Sequence, residues 1–209
     1  MDFRRPFMVV TPTLDGDVLA TLARADMEFS GRELARHVGH GSPEGIRRAA
    51  DRLVAQGVLE RRSAGTAHLY RLNRSHLAAA WIEGLAGLRE QLIERLRELI
   101  DGWEEPARAV LLFGSIARGQ ASATSDLDVL IVRRRDCDPD SDPWRAQLLN
   151  LQQSATAWTG NDTRLLEYGE DELAAGRTEP VLQDAVRDGI ELFGSRRTLR
   201  KLITAQVRG

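Results

Sequence analysis

The chain of 209 residues is long enough for one large or two small domains, and its 42% hydrophobic and 29% charged residues are typical of a globular protein. It has no apolar run near the ~20 residues of a membrane helix, no signal-peptide pattern and only one cysteine, Cys137, so we expect a cytoplasmic protein with no membrane contact and no intramolecular disulfide. The net charge of −2 conceals a basic start, because residues 1–75 carry 12 arginines against 9 acidic residues. The N-terminal part is therefore the better candidate to contact a polyanion.

Three helices are predicted at the start of the chain. Apolar residues at helical spacing predict the first over residues 15–25. Ser30 begins the second, and Glu33 three residues later completes a capping box. Ser42 caps the third, over residues 43–56, which has a proline at its first position.

Residues 58–62 and 68–72 predict two strands, joined by residues 63–67 as a β-hairpin after the third helix. Three helices followed by a hairpin resemble a winged helix-turn-helix domain, here over residues 1–75. The resemblance implies that the third helix enters the major groove of duplex DNA. A packed helix with a solvated face, or a protein-contacting domain, fits the same residues. The residues nominated for DNA binding are Ser42, Arg47, Arg48, Arg52, Arg61 and Arg62.

Residues 76–103 predict one long connecting helix with a near-heptad apolar stripe. The stripe fits either a connector packed on both neighbouring domains or a dimerisation helix, and we slightly favour a homodimer. Its members are Trp81, Leu85, Leu88, Leu92, Leu96 and Leu99.

The most informative motif lies between two apolar runs in the second half of the chain. Gly114 and Ser115 are followed by ten residues and then by Asp126-Leu127-Asp128. Residues two apart on a strand project to the same face, so both carboxylates are available to one hard cation such as Mg2+. Glycine allows close approach of a ligand, and a helix that opens at Ser115 would present free N–H groups to phosphate. These are the parts of a site for a nucleoside triphosphate and a metal ion.

This arrangement resembles the nucleotidyltransferases of the polymerase-beta superfamily, especially the minimal and kanamycin-type enzymes, whose signature is a Gly-Ser pair, ten residues and Asp-x-Asp. The resemblance covers roughly residues 104–194. It implies that Asp126 and Asp128 are catalytic and bind Mg2+ or Mn2+, and that an NTP such as ATP is the substrate. It also implies nucleotide contacts by four residues, which are Gly114, Ser115, Arg118 and Ser125.

The family also uses a third carboxylate on a neighbouring strand, and here that acid is missing. The strand is predicted at residues 163–168, and alignment puts Arg164 at the position of the acid. An arginine there could mimic a cation beside the two aspartates. Asp162 is two residues from Arg164 and therefore projects to the same side of the strand, whereas Glu167, three residues away, faces the other side of an ideal strand. These two are the possible replacements for the third acid.

The sequence thus predicts an α+β protein in four segments: a winged helix-turn-helix (1–75), a long connecting helix (76–103), a nucleotidyltransferase-like mixed sheet flanked by helices (104–194) and a loosely held basic tail (195–209). Its predicted function is metal-dependent transfer of a nucleoside monophosphate from an NTP to an acceptor hydroxyl. The alternative is a DNA-binding transcription regulator with a degenerate, nucleotide-sensing or protein-contacting transferase domain. The resemblance also allows a protein acceptor or a toxin partner.

Overall fold

The computed structural model describes residues 1–174 and 179–204, which fall into two compact units. The N-terminal unit comprises Asp2 and residues 4–88, and the C-terminal unit comprises Met1, Phe3 and the chain from Arg89 onward. Among the helices in the described ranges, none has both the length and the hydropathy required to span a bilayer.

The N-terminal unit combines helices with a small antiparallel sheet in the order β1-β3-β2. The predicted three helices and hairpin form, with boundaries that differ from the prediction by one to two residues. A 3₁₀ turn at Pro6–Val9 precedes them. The elements are α1 (Leu14–Ala23), β1 (Phe29–Ser30), α2 (Gly31–Val38), α3 (Pro43–Ala55), β2 (Leu59–Ala64), β3 (Ala67–Leu72) and α4 (Ala79–Ala86).

Local capping explains where these helices begin and end. The Ser30 hydroxyl accepts a hydrogen bond from the Glu33 amide, and the Glu33 carboxylate accepts one from the Ser30 amide, which confirms the capping box. Gly39 ends α2 in the left-handed conformation, with φ of +74°. The Ser42 hydroxyl accepts from the Gly45 amide at 3.0 Å and starts α3.

The predicted single helix over 76–103 is wrong. Residues 73–78 are not helical, and two helices, α4 and α5 (Leu88–Asp101), are separated at Gly87. The Gly87 amide still bonds to the Glu83 carbonyl, so α4 ends there in a regular way. Gly84 and Gly87 each weaken a helix by about 1 kcal/mol relative to alanine, which favours an interruption at this place.

The C-terminal unit contains a four-stranded mixed sheet in the order β6-β5-β4-β7, in which β5 and β6 are parallel and the other pairs antiparallel. The mixed sheet flanked by helices is therefore confirmed. After α5 the elements are β4 (Ala109–Phe113), α6 (Gly114–Ala117), β5 (Leu127–Arg133), α7 (Asp142–Thr159), β6 (Thr163–Gly169), α8 (Glu170–Ala174), α9 (Pro180–Asp188), β7 (Ile190–Phe193) and α10 (Arg196–Thr204).

Both faces of this sheet are covered, which explains its continuous apolar strands. Val129 and Ile131 of β5 pack with residues of α5 and α7. Leu130 and Val132 project to the opposite face and pack with residues of α8, α9 and α10. Even-numbered positions of β5, including Asp128, therefore belong to the face covered by the last three helices.

The basic segment after Gly194 is more ordered than predicted. Residues 196–204 form α10, and Leu199 is fully buried in the core on the α8–α10 side. The prediction of a loosely held tail from 195 is wrong for this part, and residues 205–209 lie outside the described range.

Most residues of the apolar stripe pack into the cores of the two units. Leu92 and Leu96 are buried in the core of the C-terminal unit and Leu99 packs against it, whereas Leu85 packs against the core of the N-terminal unit. Trp81 alone among the stripe residues is mainly exposed, at 78%. Most of the stripe therefore cannot form a seam between two copies of the chain.

Leu96→Ala should therefore destabilise the C-terminal unit by about 2–5 kcal/mol, because it leaves a cavity in a fully buried site. Glu98→Ala is the matched control on the exposed face of the same helix and should change stability by less than about 0.5 kcal/mol. Urea unfolding followed by tryptophan fluorescence measures both. Equal stability of the two variants would contradict the burial of the stripe.

Candidate functional site

The candidate site lies where β4 ends and β5 begins. The two strands are antiparallel, and Phe113, the last residue of β4, pairs with Asp128. Gly114 follows immediately, so the glycine-serine motif and the Asp-x-Asp motif meet at one edge of the sheet. The ten intervening residues close a loop between these two strand ends.

Gly114 is held against the Asp128 carboxylate. Its φ of +73° is a conformation that residues with a side chain rarely adopt. A Cβ atom at this position would lie 2.5 Å from Asp128 Oδ2, so any side chain would displace the carboxylate. Glycine is needed here both for the backbone conformation and for the space beside Asp128.

The helix after Gly114 is a single turn. It comprises only Gly114–Ala117, and Arg118 already stands at its C-cap with an exposed side chain. A single helical turn has only a small macrodipole, so its N-terminus attracts phosphate weakly. Ser115 is half-buried, and any phosphate contact here has to come from local amide and side-chain groups.

The two aspartates have different surroundings. Asp126 precedes β5 and Asp128 lies within it, and both side chains are half-buried. Burial, reinforced by the negative charge of Asp126, raises the pKa of Asp128, whereas the positive charges of Arg164 and Arg118 act to lower it. The two carboxylates therefore share one electrostatic environment.

Arg164 stands where the alignment predicted an arginine in place of the third acid. In the parallel pairing of β5 with β6 it is the register partner of Asp128. Its Nη1 donates to Asp126 Oδ2 at 2.8 Å, forming an ion pair in which the arginine side chain is 65% exposed and the aspartate 31%. The structure thus brings a cation to the two aspartates.

Glu167 is not brought to the site. It pairs with Ile131 on the opposite face of the sheet, where its Oε1 accepts from Trp144 Nε1 at 2.9 Å and from Arg133 Nε at 3.1 Å. Its role is to satisfy a buried indole N–H. The prediction of Glu167 as a replacement acid is wrong for this physical reason.

Asp162 lies beside the start of β5, since its carbonyl accepts a hydrogen bond from the Leu127 amide at 2.8 Å. Its side chain is exposed. Within residues 1–174 and 179–204, no three His, Cys, Asp or Glu side chains converge closely enough to bind one metal ion. Among the residues that the structure describes, a third carboxylate therefore does not join Asp126 and Asp128.

Asn161 is a positioning residue that the sequence analysis missed. It is 2% exposed, and its Nδ2 donates to the carbonyl oxygens of Ser125 at 2.7 Å and Ser122 at 3.3 Å. It thereby fixes the loop that leads into Asp126. The sequence showed only Gly160-Asn161 as a turn, with no signal for this long-range contact.

Ser125, nominated for nucleotide binding, also has a loop-forming role. Its hydroxyl accepts from the Ser122 amide at 2.9 Å and lies 3.2 Å from the Ser122 hydroxyl. These contacts close a turn directly before Asp126. A nucleotide contact by Ser125 would require the hydroxyl to share this bonding.

The carboxylate pair matches part of what a divalent cation requires. Mg2+ is usually held by one or two carboxylates together with water and substrate phosphates. Asp126 and Asp128 supply two carboxylates for one such ion, and Gly114 keeps a side chain away from the Asp128 carboxylate. The described residues do not supply the ligands for a second ion.

The residues nominated for DNA contact lie in the N-terminal unit, and their charges are compensated. Ser42 caps α3 through its hydroxyl. All five arginines form ion pairs within the unit, while their side chains stay at least 42% exposed. The pairs are Arg47 with Glu44 and Asp51, Arg48 with Glu44, Arg52 with Asp15, Arg61 with Asp51 and Arg62 with Glu28.

Cys137 does not provide a nucleophile. Burial, reinforced by a hydrogen bond to the Glu105 carboxylate at 2.9 Å, raises the pKa of its thiol to about 12. The reactive form of cysteine is the thiolate, which is disfavoured here. The thiol and the Ser141 hydroxyl share Glu105 as acceptor, which ties the loop after β5 to the start of α7.

Replacing Gly114 should both strain the backbone and displace the Asp128 carboxylate. Gly114→Ala and Gly119→Ala both place alanine at positive φ, which costs about 1–2 kcal/mol. Nothing lies within 4 Å of a Cβ at Gly119, whereas at Gly114 the new methyl group meets Asp128. We expect Gly114→Ala to lose about 1–3 kcal/mol more than Gly119→Ala in urea unfolding. Equal losses would show that Asp128 is not held against this glycine.

Comparisons with known proteins give matches to the segment that carries the site. A search of curated proteins finds no match. Among solved structures, a mutant MntA–HepT toxin–antitoxin complex matches with a TM-score of 0.40 and 15% identity over 55% of this chain and 83% of that chain. A toxin–antitoxin complex with AMP-PNP matches with a TM-score of 0.38 and 19% identity over 56% and 83%. The family model described as "Nucleotidyltransferase domain" matches residues 89–173, from α5 to α8, and this segment includes both aspartates.

Proposed function

We propose that the C-terminal unit binds a nucleoside triphosphate together with one divalent cation and transfers the nucleoside monophosphate to an acceptor hydroxyl. The observation that carries the proposal is the contact between Gly114 and Asp128 at the sheet edge, with Asp126 beside them. The family match at residues 89–173 supports the same chemistry.

In this proposal Asp126 and Asp128 hold Mg2+ or Mn2+, and ATP is the nucleotide. The cation, when bound, would neutralise phosphate charge and stabilise the leaving pyrophosphate. Ser115 and Arg118 lie within one turn of Gly114, where their polar groups would contact the phosphates. Positioning and charge neutralisation are the main contributions of a protein to phosphoryl-type transfer.

A second candidate is favoured by one observation, the ion pair between Arg164 and Asp126. Among the described residues no third carboxylate joins the pair, and such an acid is what would activate the acceptor hydroxyl. The unit would then bind nucleotide without efficient turnover and act as a sensor or protein-contact module. Label transfer from each labelled NTP in the presence of Mg2+ and a cell extract separates the two functions.

Nucleotide binding should depend on the aspartate pair. Mg2+ is expected to tighten binding of a non-hydrolysable ATP analogue at least about tenfold, the size of one charge interaction over a few ångströms. Asp126→Asn combined with Asp128→Asn should abolish this enhancement while the fold is retained, as measured by calorimetry and circular dichroism.

The matched control is Asp136→Asn combined with Asp138→Asn. These two aspartates have the same spacing and charge but lie exposed in the loop after β5. The control should keep the Mg2+ enhancement. If the first double variant binds the metal–nucleotide complex as well as the parent does, the site is wrongly assigned.

We further propose that the N-terminal unit binds duplex DNA through α3 and the β2–β3 hairpin. The order of its helices and hairpin is that of a winged helix-turn-helix, and the arginines of α3 are exposed. Exposed ion pairs are weak, so phosphate groups can replace their acidic partners. The acidic partners nevertheless compete with DNA, and the binding should be moderate.

This competition gives opposite effects for two neighbouring variants. Arg48→Ala should weaken DNA binding severalfold and lower the salt dependence by about one unit of slope, because one phosphate contact is lost. Glu44→Gln should strengthen binding, because it releases Arg47 and Arg48 from their shared carboxylate. Fluorescence anisotropy with genomic fragments over a salt series measures both. Binding that is absent or insensitive to salt would assign this unit to protein contact.

We also propose two kinds of protein partner for this chain. The acceptor hydroxyl could belong to a protein, and a toxin protein is one such partner. A homodimer is also proposed, with Leu77 and Trp81 of the N-terminal unit as the contact, since they are 95% and 78% exposed.

Light scattering at micromolar concentration should give twice the 23.2 kDa of one chain. Trp81→Ala should yield the monomer, and Leu149→Ala, which alters an exposed leucine of the C-terminal unit, should not. A monomeric parent protein would remove the dimer from the proposal.

A further inference from the structure

Arg164 occupies a place set by the backbone. The parallel register of β5 and β6 pairs it with Asp128, and residues paired in this way project to the same face of the sheet. The same register places Asp126 within reach, where Nη1 of Arg164 lies 2.8 Å from Oδ2. The arginine therefore forms an ion pair with Asp126, and its positive charge also acts on Asp128, without any rearrangement of the sheet.

Two half-buried carboxylates on one face repel each other unless positive charge is near. Arg164 supplies that charge from within the chain. Other acids do not join them, because Glu167 is bound to Trp144 and Arg133 on the opposite face and the described residues contain no three-ligand group. The two carboxylates thus have an arginine as their neighbour, at the position where the resembled family has a third acid.

The ion pair is open to exchange. The Arg164 side chain is 65% exposed, so it can leave Asp126 for solvent or for another anion without crossing a packed core. A guanidinium binds phosphate oxygens as well as carboxylate oxygens, in the same forked geometry. A triphosphate at this sheet edge would offer Arg164 such an alternative partner.

We propose that Arg164 is a tethered counter-cation that keeps free divalent metal out of the Asp126–Asp128 site and limits the site to one metal ion, admitted together with a triphosphate. The inference rests on the proposed function, because it concerns the same two aspartates. It adds the metal stoichiometry and the order of loading: metal alone binds weakly, and the nucleotide draws Arg164 away from Asp126.

The test is a titration of the full chain with Mn2+ in the absence of nucleotide, followed by the electron paramagnetic resonance signal of free Mn2+. Arg164→Gln removes the competing charge and should tighten Mn2+ binding about tenfold. Arg164→Lys retains the charge and should bind as weakly as the parent. Arg164→Asp supplies a third carboxylate and should bind two ions per chain.

Arg135→Gln is the matched control. Arg135 is 66% exposed and paired with Asp171, and it follows the far end of β5, so its removal changes the net charge equally but not the site. It should alter Mn2+ affinity less than twofold. If Arg164→Gln binds Mn2+ no more tightly than Arg135→Gln, or if Arg164→Asp binds only one ion, the inference is overturned.

Binding of the ATP analogue is measured separately in the same variants. If the parent protein does not bind the ATP analogue, the proposed function is overturned. The Mn2+ titration would still decide the role of Arg164. In the parent, Mn2+ should bind more tightly in the presence of the analogue than alone. Independent binding of the two would contradict the proposed order of loading.

Discussion

The register of β5 between its two neighbours is the constraint on which the candidate site depends. On one side it pairs Asp128 with Phe113, so that Gly114 touches the carboxylate, and on the other side it pairs Asp128 with Arg164. A slip of one residue would turn both aspartates to the opposite face of the sheet, into the core with α5 and α7. Continuous apolar packing on both faces fixes the register, so the hydrophobic core determines where the charges stand.

Features encoded by neighbouring residues were predictable from the sequence. The capping box of Ser30 and Glu33 involves residues three apart, and the meeting of Gly114 with Asp128 follows from two strands joined by a short loop. Arg164 stands beside Asp128 because it is the second residue of a strand in parallel register with β5. Features that depend on residues distant in the sequence were not predictable in this way. The indole of Trp144 holds Glu167 and the buried amide of Asn161 holds the loop at Ser125, and nothing in the local pattern announces either contact.

The apolar stripe shows a related limit. Its periodicity is real, but periodicity does not say which surface covers an apolar residue. Glycines at 84 and 87 divide the segment into two helices, after which Leu85 and Leu96 serve different cores. The exposed remainder is Trp81. In the same way, the sequence nominates the arginines of α3 for DNA contact but does not show that each has an acidic partner, distant in sequence or on the same helix.

A tethered cation and a diffusible one solve the same electrostatic problem with different consequences. Where carboxylates are neutralised only by a bound metal, folding of the site is coupled to the metal. Here Arg164 is already beside Asp126, so the strand ends can be ordered at any metal concentration. An arginine cannot lose its charge at physiological pH, so its effect is removed only by giving it another anion. The site is therefore suited to respond to a polyanionic ligand rather than to the concentration of free metal, and a nucleoside triphosphate carries both that anion and the cation which replaces the arginine.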